Sequence, residues 1–102
     1  MATLDELTDR IRQATAAGAV PSHSIKLDLK GEGFVHIAPR GVTNDDAPAD
    51  LVVTIAMKDL SALAKGELDA TRAMMTGRLK LSDVGLAMKL RPEIQLLFSK
   101  AA

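Results

Sequence analysis

The chain has 102 residues with 13 Lys plus Arg and 13 Asp plus Glu, so its formal net charge is zero. That balance argues against a nucleic-acid partner, which calls for a basic excess, and two Phe without Tyr or Trp offer no base-stacking platform. Cysteine is absent, which removes disulfides, thiolate metal ligands and cysteine nucleophiles.

At this length the expectation is one domain over residues 1–102, able to bury about two-thirds of its unfolded surface. Thr3-x-x-Glu6 is a capping-box pattern that opens a helix. Leu4, Leu7, Ile11 and Ala14 recur on one face of it, with Asp5, Glu6, Asp9, Arg10 and Arg12 mostly on the other. Gly18 ends the helix and Pro21 prevents its continuation. The opening residues, Met1 to Glu6, are acidic and amphipathic, unlike a signal peptide.

Ile25, Leu27 and Leu29 alternate with Lys26, Asp28 and Lys30, the pattern of a strand with one wet face. Gly31-Glu32-Gly33 reads as a hairpin turn, and Phe34 to Ala38 as the returning strand, stopped by Pro39. Gly41-Val42-Thr43 is a candidate short strand and Asn44 to Pro48 a polar loop. Leu51 to Ile55 is almost continuously apolar and is expected deep in the sheet.

Two short helices are expected next. Lys58–Lys65 turns Leu60, Leu63 and Ala64 inward and ends at Gly66; the second is capped by Asp69 and turns Ala70, Ala73 and Met74 inward. A strand over 78–82 then passes almost directly into a helix over 84–90 capped by Asp83. Pro92 breaks that helix and starts a last one, with Ile94, Leu97 and Phe98 on one face.

Catalysis finds no foothold. His23 and His36 lie in no metal-ligand spacing. Asp45 and Asp46 form an adjacent carboxylate pair, but in a Pro-bearing polar loop without a nucleophile pattern. Ser22, Ser24, Ser61, Ser82 and Ser99 lack a Gly-x-Ser-x-Gly setting, and no Gly-x-Gly-x-x-Gly occurs. The expectation is a non-enzyme with no cofactor and no metal. No apolar run approaches the roughly 18 residues of a membrane span, and the chain does not end in a Ser-Lys-Leu address. A cytoplasmic location is the resulting expectation.

The run from Gly77 to Leu90 resembles the sterol carrier protein type 2 family, the sterol-binding or lipid-transfer domain. Its members carry a Gly-basic-Leu-Lys-apolar strand, a short polar turn and a helix reading Gly-Leu-Ala-Met-Lys-Leu, here Gly77–Leu81 and Gly85–Leu90. Upstream, Ala49-Asp50 with Leu51–Ile55 resembles the family's central strand. Leu60, Leu63, Gly66, Asp69, Ala73 and Gly77 match its two middle helices. The Ser82-Asp83 turn is about one residue short and lacks the usual Gly, and Met74 and Met75 stand where many members have aromatics.

The resemblance implies an α+β fold: a mostly antiparallel sheet of about five strands covered on one face by helices. It also implies non-enzymatic binding and transfer of an apolar lipid in a tunnel between sheet and helices. Sterols, fatty acids, acyl-CoA esters and phospholipids are the ligand classes. The side chains expected to line the site are Phe34, Val53, Ile55, Leu60, Leu63, Met74, Met75, Leu79, Leu81, Met88, Ile94, Leu97 and Phe98. Arg78, Lys80 and Lys89 are read either as a solvated basic face or as contacts for a headgroup, a carboxylate or an acyl-CoA phosphate, and transient membrane contact is compatible with both. The alternative is an accessory module that presents a lipid-like substrate to, or docks on, a partner protein.

Overall fold

The computed structural model describes residues 3–101, and the side chains of all of these except 64 and 98–101. Helix α1 (Leu4–Ala16) starts where the capping box puts it: the Thr3 hydroxyl accepts from the Glu6 N–H at 3.2 Å. Its inward face is Leu7, Thr8, Ile11 and Ala14.

Strands β1 (Ile25–Asp28) and β2 (Phe34–Ala38) pair antiparallel, with Ile25 opposite Ile37 and Leu27 opposite Val35. The first strand ends at Asp28, two residues earlier than the alternation suggests. Lys30 takes a positive φ of 52° while its N–H donates to the Asp28 carboxylate. Gly33 is required at the far side of the turn. Its φ is 129°, and a Cβ there would lie 2.6 Å from a Leu4 methyl of α1. Strand β3 (Gly41–Thr43) extends the sheet beyond β2.

Strand β4 (Leu51–Ile55) returns beside β1, and β5 (Leu79–Leu81) pairs with β4, giving the order β3-β2-β1-β4-β5. The sheet is mixed, which corrects the mostly antiparallel expectation: β1 and β4 run parallel, Leu27 beside Val53. The chain between Asp28 and Leu51 contains β2, β3 and the loop 44–50, long enough to bring it back to the starting end of β1.

Four further helices follow: α2 (Met57–Ala64), α3 (Ala70–Met75), α4 (Val84–Lys89) and α5 (Arg91–Ala101). Asp69 and Asp83 cap α3 and α4, accepting from Arg72 N–H and Leu86 N–H. Leu90 closes α4, and Pro92 occupies the first turn of α5, where a missing N–H costs nothing.

Pairing register puts Ile25, Leu27, Val35, Ile37, Val42, Leu51, Val53, Ile55, Leu79 and Leu81 on one face of the sheet. The helices bury Leu7, Ile11, Ala14, Leu60, Ala73, Ala87 and Leu97 in the same core. The other face carries Lys26, Asp28, Phe34, His36, Val52, Thr54 and Lys80. Loop 44–50 folds toward it: Lys26 pairs with Asp46 at 2.6 Å, and His36 Nε2 donates to the Pro48 carbonyl at 3.0 Å.

Candidate functional site

The informative position is Val53. It is the middle residue of β4, a strand hydrogen-bonded on both sides, and it points to the helix-covered face. Its same-face neighbours on the strand, Leu51 and Ile55, are completely buried, and so is Leu27 beside it on β1. Val53 nevertheless keeps accessible surface, as does its β5 partner Leu81. A strand interior stays accessible under a helical layer only where that layer does not close. Leu63 of α2, Leu68 after it, Leu86 of α4 and Ile94 of α5 are likewise half-buried and packed against the core. Val53 and Leu81 thus keep apolar surface accessible on the helix-covered side of the sheet.

The thirteen side chains expected to line a site divide by position. Val53, Leu63, Leu81 and Ile94 are half-buried against the core. Ile55, Leu60, Leu79 and Leu97 are buried in it and present no open surface. Phe34 lies on the opposite face of the sheet, because it shares the pleat of His36 and pairs with Asp28. It sits under the Lys26 ammonium, 5.4 Å from the ring centre. Met74 is at the border, 38 % exposed; Met75 and Met88 face outward at 83 % and 70 %. A six-residue helix turns only part of its circumference inward, and in α3 that part is Ala73. Ala70, expected inward with it, is exposed. The Phe98 side chain lies outside the described residues.

Three features were not among the expected site residues. Leu68, Leu86 and Leu4 of α1 are half-buried as well, Leu86 within the family-like run. Asp59 is buried in the first turn of α2, where the helix N-terminus favours an acid. Glu93 of α5 accepts from Ser22 through both carboxylate oxygens. Ser22 Oγ also lies 3.2 Å from His23 Nδ1. This is no catalytic triad, because the carboxylate binds the serine and does not orient the imidazole. Among the described residues no group of three potential metal ligands occurs. A separate shallow pocket of about 220 Å³ lies between the end of α1 and the β2–β3 turn, lined by Thr15, Val20, Ala38 and Arg40 among others. It contains none of the thirteen.

The model of the SCP-2 sterol transfer family matches residues 3–95. Sterol carrier protein 2 of Oryctolagus cuniculus is 44% identical over 77 residues, 74% of this chain and 13% of that protein. The Gallus gallus protein is 42% identical over the same lengths. The chain therefore spans about one-eighth of these relatives, at 13% of their length. Among solved structures, sterol carrier protein 2 like 2 from Aedes aegypti superposes with a TM-score of 0.67 at 23% identity, over 85% of this chain and 92% of that one. Sterol carrier protein 2 from Yarrowia lipolytica, in its apo form, gives 0.57 at 20%, over 94% and 76%. The same fold is also 16% of a sec-alkyl sulfatase, matched over 93% of this chain at 23% identity with a TM-score of 0.64. Such distant likenesses speak for the fold, whereas the sequence match over residues 3–95 decides kinship: this chain belongs to the SCP-2 sterol transfer family.

Proposed function

We propose that the protein binds one apolar lipid, without chemical conversion, in a recess above Val53 and Leu81, and carries it between membranes. The supporting observation is the incomplete burial of Val53 in the middle of an interior strand, together with half-buried Leu63, Leu68, Leu86 and Ile94 on the helices and their connections. In the bound state the ligand completes the core. Ile55, Leu60, Leu79 and Leu97 form the wall behind it, with Met74 at the rim.

Desolvation supplies the affinity. Each buried methylene contributes about 0.8 kcal/mol, so a chain of about 14 could gain up to roughly 11 kcal/mol before association costs. Micromolar or tighter binding then needs no strong polar contact. The same arithmetic gives weak discrimination between sterol, fatty acid, acyl-CoA and phospholipid, since shape and length do the selecting. We place this carrier in the cytoplasm.

The test is displacement of a fluorescent fatty acid by unlabelled lipids from each class, together with native mass spectrometry of freshly purified protein. Bound lipid, exchanged by long-chain competitors, is the expected result. Folded protein that takes up none of these classes would overturn the proposal. A protein partner held stoichiometrically in the absence of lipid would favour the accessory module.

A further inference from the structure

The sheet has two edges, β3 and β5, and they differ. Antiparallel partners alternate between pairs that exchange main-chain hydrogen bonds and pairs that turn those groups away from each other. The Leu29 N–H donates to the Gly33 carbonyl, which fixes that alternation across β1, β2 and β3 and turns the Val42 main chain out of the sheet. The Arg12 guanidinium of α1 donates to this outward Val42 carbonyl at 3.2 Å from both Nε and Nη2, and α1 packs on β3. That edge is occupied.

At β5 the Ser82 N–H donates to the Val52 carbonyl at 3.0 Å. Thr54 with Lys80 is then the next bonded pair, while Val53 with Leu81 and Ile55 with Leu79 are non-bonded. The Leu51 N–H agrees with this, because it bonds to the Ser24 carbonyl on the β1 side. The main-chain N–H and C=O groups of Leu79 and Leu81 therefore point out of the sheet. Among the described residues no other element supplies a hydrogen bond to them. Their side chains face the helices, and the Lys80 side chain takes the opposite face. Residues 78–82 carry two cations, Arg78 and Lys80, and no acid. Both are exposed, and the ion pairs among the described residues, Arg12–Asp9 and Lys26–Asp46, involve neither.

We propose that the β5 edge accepts an extended, acidic segment of a partner protein as an added strand. In an antiparallel guest, the residues opposite Leu81 and Leu79 bond to the outward main-chain groups and lie beside the leucines, so they are apolar. The residue between them meets Lys80 in a non-bonded pair, where side chains approach most closely, so it is acidic. A second copy of the chain does not fit. Two β5 edges paired through both leucines set Lys80 against Lys80, and like charges directly opposite are destabilising. The same cation thus guards the edge against self-pairing and selects the guest. This docking goes beyond lipid carriage: the bonding groups belong to the main chain and point outward with or without a bound lipid.

The test is an NMR titration of the isotope-labelled chain with the peptide Thr-Val-Glu-Val-Glu-Thr. The Leu79 and Leu81 amide protons should move downfield and gain protection from exchange. N-methylation of both valines should abolish binding, because those N–H groups point at β5. N-methylation of both glutamates, whose N–H groups point away, should leave most of it. Lys80→Glu, at an exposed position, should weaken binding by about five-fold or more. Thr-Val-Lys-Val-Lys-Thr should bind that variant more tightly than it binds the wild type. Circular dichroism checks that the variant is folded. Three results would overturn the proposal. One is unchanged Leu79 and Leu81 amides at millimolar peptide. Another is equal loss of binding with the two N-methylated peptides, which would reduce the contact to charge alone. The third is a dimer of the chain by itself that protects the same two amides, since the edge would then belong to a second copy.

Discussion

Glu93 clasps Ser22 at two points. The backbone N–H of Ser22 donates to Oε1 at 2.8 Å and its hydroxyl to Oε2 at 2.9 Å, across 71 residues of chain. The clasp ties the start of α5 to the segment that leads into β1. Helix α5 also packs on α1 and on α4, and its Leu97 is buried.

If α5 is the element that opens to admit lipid, the clasp sets how readily it opens. Glu93→Ala is expected to cost about 1 kcal/mol in stability, because the bonds are solvent-exposed. It should also speed lipid entry and release in stopped-flow exchange. Exchange at the wild-type rate in a folded Glu93→Ala protein would show that α5 is fixed core. Deleting the chain from Pro92 onward is a blunter experiment, since loss of buried Leu97 is expected to unfold much of the protein.

Space above Val53 can be tested by filling it. Overpacking a closed core costs about 1–3 kcal/mol. Ile55→Phe, at a fully buried position, should show that cost in urea denaturation. Val53→Phe should cost less than Ile55→Phe and yet abolish lipid binding, because the ring occupies the ligand's place. Equal destabilisation by the two substitutions would argue that nothing opens above Val53.

Met74, 38 % exposed on α3, is the proposed rim of the lipid site. Met74→Ala should leave the fold intact and change the preferred chain length in competition assays. Met74→Asp should lose binding, since an unpaired charge against an apolar ligand is costly. Wild-type affinity in Met74→Asp would place the side chain away from the ligand.

Asn44 bridges α1 to the sheet. Its Nδ2 donates to the Thr8 hydroxyl at 2.9 Å and to the Phe34 carbonyl at 2.8 Å. Thr8 is buried and also donates to the Leu4 carbonyl. Asn44→Ala is expected to cost about 1–2 kcal/mol, lowering Tm by roughly 4–8 °C per kcal/mol, with lipid affinity unchanged. A Tm equal to wild type would mean that water replaces the bridge without loss.

What the sequence determined by itself was everything governed by near neighbours. The Thr3 cap, the caps at Asp69 and Asp83, the alternation of Ile25, Leu27 and Leu29, and the break at Pro92 all act within a few residues. The run from Gly77 to Leu90 carried kinship as well, because its residue order resembles the family more closely than its hydrophobic pattern alone would show. The tertiary structure decided what depends on distant partners. The parallel pairing of β1 with β4 follows from how the chain between them is routed, and no local pattern encodes it. Alternation showed that Phe34 and Val35 take opposite faces, but only the register with β1 showed which face the helices cover. The partial exposure of Val53 depends on how the helical layer packs over the sheet, and the clasp of Glu93 on Ser22 depends on the docking of α5. Met75 and Met88 point outward for the same reason: an apolar side chain has no inside or outside until neighbouring elements have packed around it.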